Sequence, residues 1–175
     1  MPEVLQFLRI FVDIVLWRRG PQDLPASRLL VGLTLAAYVA VSAVQLALLD
    51  EPATTWFFFL VADPVLLMAW VWLVLKLFGH LERYAQTVSA VLGTGALLGL
   101  VLYLPLQFIM PAAADGQAAP LAQALGLGLV AVFALVTGRI IKLATDSNLF
   151  TGIGVALTYF LVVNVLLATV RAPGP

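Results

Sequence analysis

Asp63 is the acidic residue set deepest in an apolar run, in TTWFFFLVADPVLLMAWVWLVL, and Pro64 follows it at once. A carboxylate at mid-membrane depth is costly unless it is neutralised, paired or hydrated, so such a group is a candidate functional site. A change between its neutral and charged forms can accompany proton transfer. The pair also reads as a helix start, with Asp63 as N-cap and Pro64 in the first turn, and the span broken there. Both readings stay open on the residues alone. His80, in FGHLER beside Glu82 and Arg83, is either an acid-base group or a solvated turn histidine. Gln45, Gln107, Thr158 and Asn164 are span polar residues suited to interhelical hydrogen bonds, and with Asp63 they can line a polar cavity.

Other chemistry is excluded by what is missing. The chain has 0 cysteines and 1 histidine, so thiolate chemistry and multi-histidine metal sites are ruled out. It contains neither a GxxxxGK[ST] phosphate loop nor a GxSxG nucleophile elbow. No nucleophile with a nearby base can be named, and a lipid-acting enzyme lacks its acid-base or metal constellation. The expectation is a non-enzymatic protein with no cofactor and no catalytic residue. A formal net charge of +0 gives no basic surface for nucleic acid.

The elements that must position these residues are apolar helices. The 175 residues are 63% hydrophobic and 10% charged, with a mean hydropathy of +1.08. A soluble domain carries roughly 25% charged residues, so lipid is the natural solvent here. Five stretches, about 29–49, 53–75, 84–110, 121–138 and 149–170, approach or exceed the roughly 20 residues that cross a hydrocarbon core. The expected fold is all-α: a polytopic bundle of five transmembrane helices preceded by an N-terminal amphipathic interfacial helix. Residues 1–19 form that helix, 20–28 a Pro-rich linker, 29–170 the bundle and 171–175 a tail. In the first segment Glu3, Gln6, Arg9 and Asp13 share one face, Arg9 and Asp13 can pair, and Trp17 suits the headgroup layer. Arg18 and Arg19 follow the apolar run, the reverse of a signal peptide, and the segment reads as retained.

Charges in the turns give the orientation. Arg9, Arg18, Arg19 and Arg28 precede the first span; Lys76 and Arg83 flank the second turn, and Arg139 and Lys142 the fourth. The intervening loops hold Asp50, Glu51 and Asp115 and no basic residue, while Arg171 on the tail dissents. The positive-inside rule then puts the N-terminus in the cytoplasm and the C-terminus outside. Trp17, Arg18, Arg19, Lys76, Arg139 and Lys142 read as membrane-interface anchors. Small residues at four-residue spacing, Gly95 with Gly99 and Gly152 with Ala156, form either helix-packing faces within the chain or a homo-oligomer seam.

Two places carry a family resemblance: VLKLFGH running into YAQT around residues 74–87, and GRIIK followed by GIGVA at 138–156. On these the chain resembles the Yip family of small multi-span membrane proteins. His80 after Gly79 departs from the family's small residues at the span-two exit, and the long soluble arm of eukaryotic members is lacking. The resemblance implies a cytoplasmic N-terminal segment and five clustered spans. Eukaryotic members are associated with vesicle traffic and Rab-type GTPases, whereas bacterial relatives largely lack an assigned activity. Compact loops and an Ala/Leu/Gly-rich composition suggest a bacterial inner membrane, since outer membranes hold barrels. The expected function is a membrane adaptor, assembly or scaffold subunit, with lipids and another membrane or cytoplasmic protein as partners. The alternative is a small oligomeric transporter, channel or lipid-handling protein using Asp63-Pro64 at a broken helix.

Overall fold

The computed structural model describes residues 2–49, 53–108 and 119–171, with side chains for 8–48, 55–108 and 120–169. The loop charges Asp50, Glu51 and Asp115, the side chains of Glu3, Gln6 and Arg171, Met110 at the end of the third span, and the tail beyond 171 lie outside the described residues. All regular structure that is described is helical. Helix α1 is Pro2–Val15 and α2 is Arg28–Leu49. Helix α3 covers residues 53–78 and consists of Ala53–Phe57, a π-helical turn Phe58–Ala62, and Asp63–Phe78. Helix α4 covers residues 84–108 and holds Tyr84–Leu98, a second π-helical turn Gly99–Tyr103 and a last short α segment. Helices α5, Ala119–Thr145, and α6, Leu149–Arg171, complete the chain. Helices α2 to α6 are each long and apolar enough to cross a membrane. By composition this is an integral membrane protein.

The outward faces are what lipid requires. Leu29, Leu33, Val65, Leu77, Leu127 and Phe150 are exposed apolar side chains, a pattern a water-facing surface would not tolerate at this density. Helix α4 is the central element, and its TVSAVLGT stretch at 87–94 is buried throughout. Helix α2 packs chiefly along α4, and α5 chiefly along α6. Small residues permit both approaches. A Cβ on Gly152 would collide with the Gly138 carbonyl oxygen, and one on Gly138 would lie 2.8 Å from the Ile153 backbone. Gly95 admits the Tyr38 ring and Gly99 admits Gln45. Gly95, Gly99 and Gly152 are therefore covered by the chain's own helices, and Ala156 is buried.

Helix α1 packs against the bundle along one edge. Phe11 and Ile14 are buried in the core, and the Phe11 ring occupies the space that a Cβ on Gly93 would fill. One apolar edge of α1 thus seats on α4. A second edge, Leu8, Val12 and Leu16, stays exposed. Asp13 pairs with Arg18 at 3.9 Å and Arg19 at 3.5 Å, and not with Arg9. The chain reverses after α1 through Trp17 at φ 65, which brings both arginines back over Asp13. The linker is pinned as well: Leu24 is buried, and Gln86 Nε2 donates to its carbonyl at 2.7 Å.

Helix α5 continues for two turns past the expected end at residue 138, which places Arg139 within it. The Arg139 guanidinium donates to the carbonyls of Trp17 and Arg19, both at 2.7 Å, and stacks 5.4 Å from the Trp17 ring. It also reaches the Ile14 carbonyl in the last turn of α1 at 3.4 Å, where unpaired carbonyls collect and a cation is favoured. Arg83 does the same for α5, donating to the carbonyls of Leu143 and Ala144 at 3.2 Å each. It also pairs with Asp146 at 2.9 Å, so the two basic turns are tied together. Lys76 lies 4.7 Å over the Trp72 ring, and Lys142 is half-buried near the foot of α5.

Candidate intramembrane site around Asp63

The structure replaces the expected helix break with a π-helical turn. Asp63 has helical backbone angles, φ −61 and ψ −51, and its N–H bonds the Phe58 carbonyl five residues back. No side-chain cap bond is made at this point, so the N-cap role does not apply. Proline inside a helix removes one i→i−4 bond and crowds the preceding turn. Widening that turn by one residue relieves the crowding without ending the helix. The same device recurs in α4, where the π-helical turn Gly99–Tyr103 ends two residues before Pro105, as Phe58–Ala62 ends two before Pro64. In both places the signal was an isolated proline within an otherwise continuous apolar run.

The Asp63 side chain is instead held by two tyrosines from other helices. Tyr38 on α2 donates its hydroxyl to Oδ2 at 2.6 Å, and Tyr159 on α6 donates to Oδ1 at 2.7 Å. Tyr159 also reaches the Asp63 carbonyl at 3.1 Å. Both contacts are short, within the usual range of O–H···O hydrogen bonds. Asp63 is only 4% exposed, so the two bonds stand where water would otherwise be. The tyrosines are themselves positioned. Gly95 lets the Tyr38 ring approach α4, and Trp70 lies 6.2 Å from the Tyr159 ring. Asp63 on α3 thereby joins α2, which belongs with α4, to α6, which belongs with α5.

The carboxylate faces a cavity of about 530 Å³ between α2, α3, α4, α5 and α6. Its lining on α2, α3 and α4 lies toward the end away from the Arg83–Asp146 turns, and on α5 and α6 about midway along the helix. At the opposite end the bundle is closed by Val71, Leu75, Thr87, Leu92, Ile140 and Ile141, all essentially without exposure. Gln45, Gln107 and Asn164 line the cavity together with Asp63, whereas Thr158 bonds the Gly154 carbonyl on the exposed side of α6. Gln45 donates to the Gly99 carbonyl at 3.0 Å, in the π-helical turn. The Gln107 amide is buried and has no hydrogen-bond partner among the described residues. Tyr38, Ser42, Tyr103, Thr137 and Tyr159 also line it, and nothing in their local sequence sets them apart from ordinary span residues.

The remaining sequence candidates lie elsewhere. His80 sits at the opposite end of the bundle, with Nδ1 3.3 Å from Glu82 and Nε2 3.7 Å from Asp146. The Arg83 guanidinium holds the Asp146 carboxyl below the usual carboxylate range. No group of three or more His, Cys, Asp or Glu that could hold a metal occurs among the described residues. No protein-family model matches this chain, and neither a curated protein nor a solved structure shows significant similarity to it.

Proposed function

We propose that this protein binds a small ligand inside the membrane and couples that binding to helix movement, as a transporter does. The single observation that carries the reading is the Asp63 carboxylate, shared by Tyr38 and Tyr159 at the wall of a largely apolar cavity closed toward one end. A carboxylate that serves only packing has no need of an adjoining space of about 530 Å³. That volume falls within the range of small-molecule sites. A ligand or proton that competes for Asp63 loosens one tyrosine and so loosens one helix pair from the other. The π-helical turns supply the local give. No catalytic step is assigned.

The proposed setting is a bacterial inner membrane with the N-terminus in the cytoplasm, which makes the Arg83–Asp146 end cytoplasmic and opens the cavity outward. Basic residues gathered at that end support this orientation. The Yip-family resemblance supports the topology and names no ligand. The adaptor reading rests on a different feature, the exposed Leu8, Val12 and Leu16 edge of α1, which suits lipid or a partner helix.

The natural absence of cysteine makes the test direct, because any introduced thiol is the sole one. Ser42→Cys and Gln45→Cys, in the cavity, should react with a membrane-impermeant thiol reagent added from outside. Ser89→Cys, in the closed half, should not. Adding Asp63→Asn should change the rate at position 42 severalfold. Cavity cysteines as inert as the one at position 89 would end the reading.

A further inference from the structure

We infer that the ligand of this cavity is a lipophilic organic cation, a deepening that rests on the cavity reading above. Among the described residues, the lining side chains include one carboxylate, Asp63, and no Lys, Arg or His. The other polar groups there are neutral amides and hydroxyls. The charge that complements such a site is positive. A carboxylate offers about four lone-pair directions, and the two tyrosine hydroxyls take two of them. The other two are taken by neither hydroxyl.

The rings decide which cation. Tyr38, Phe59, Tyr103, Phe133, Tyr159 and Phe160 surround the space, and aromatic faces attract a poorly hydrated organic cation placed against them. A hard metal ion instead demands six or more oxygen ligands, or a retained water shell. One carboxylate already engaged twice does not meet that demand, and no metal-binding group exists among the described residues. The volume of about 530 Å³ is far more than a bare ion or a proton needs. One carboxylate and the neutral amides Gln45, Gln107 and Asn164, set among mostly apolar walls, fit a ligand with a charged centre and hydrocarbon arms.

Tetraphenylphosphonium and tetraphenylborate are nearly the same size and shape and differ in the sign of charge, so they isolate this claim. Binding of each to the purified full chain in lipid nanodiscs would be measured by equilibrium dialysis, after subtraction of uptake by protein-free nanodiscs of the same lipid. The expected result is binding of the phosphonium and none of the borate, with Asp63→Asn weakening the phosphonium by about tenfold or more. Gln45→Lys, which sets a positive charge in the same space, should abolish phosphonium binding even if the Asp63 variant does not accumulate. Equal binding of both probes would overturn the charge assignment and leave the cavity reading standing. Preference for the borate, or binding of neither probe, would overturn the inference. The thiol-reactivity experiment, which uses no ligand, judges the cavity on its own.

Discussion

The Asp63 carboxylate meets two hydroxyls, and each should carry a measurable share of the molecule's stability. Hydrogen bonds to a charged group contribute about 1.5–3 kcal/mol. Tyr38→Phe and Tyr159→Phe should therefore each destabilise by roughly that amount in a denaturant titration of the detergent-solubilised protein. The double variant should deviate from additivity, because both hydroxyls share one acceptor group. Additive, near-zero effects would mean that the carboxylate is solvated by something else. Asp63 itself was legible in the sequence, since one carboxylate in a long apolar run has no bland lipid-facing role. Its partners were not: Tyr38 lies 25 positions away and Tyr159 lies 96 away, and only the packing of three helices brings them to it. The capping role failed for a related reason. Asp-Pro has the local look of a helix start, but in an apolar run the backbone has no water to turn to. Widening one turn keeps its carbonyls within the helix.

At the scale of elements, the contacts that fix the helix pairs differ sharply in how much substitution they tolerate. Gly152→Ala forces a Cβ onto a backbone carbonyl that cannot swing aside, and should lower stability by about 1–3 kcal/mol. Gly128→Ala and Gly154→Ala meet nothing within 4 Å and should be close to neutral, which makes them controls in the same thermal unfolding series. Four-residue spacing of small residues suggested such contacts but could not say which glycines sit at a crossing. The Arg139 clamp on α1 was hidden further, because an arginine near a span end looks like a headgroup anchor whatever it binds. Arg139→Gln should free the end of α1 and speed tryptic cleavage after Arg18 and Arg19, leaving the bundle intact. The tie between the basic turns gives a pH signature. Arg83, with His80 nearby, holds the Asp146 carboxyl below its ordinary value, so the tie is fully present above about pH 4 and is lost as pH falls through the depressed value. Amide-exchange protection around Ser147 should fall over that acid range. Asp146→Asn should remove the pH dependence; asparagine tolerates the left-handed backbone there, φ 52.

For the whole molecule, apolar runs and the alternation of basic turns were enough to foresee five spans, because length and composition alone decide which helices lipid accepts. The asymmetry of the bundle was not foreseeable. One part is closed around α4 and the other holds a largely apolar cavity that carries the carboxylate, and that division depends on which faces meet. The central claim is that Asp63 ties the α2–α4 pair to the α5–α6 pair across this cavity. Asparagine replaces one acceptor oxygen by a donor, so it cannot receive both hydroxyl protons at the two positions. The most direct measurement is the distance between spin labels at Leu48 on α2 and Val165 on α6, both exposed and on the cavity side of the bundle, by double electron–electron resonance in nanodiscs. In the wild-type background a single narrow distribution is expected, and Asp63→Asn should shift it to longer distances and broaden it. Superimposable distributions in the two backgrounds would contradict the claim and reduce Asp63 to a packing residue.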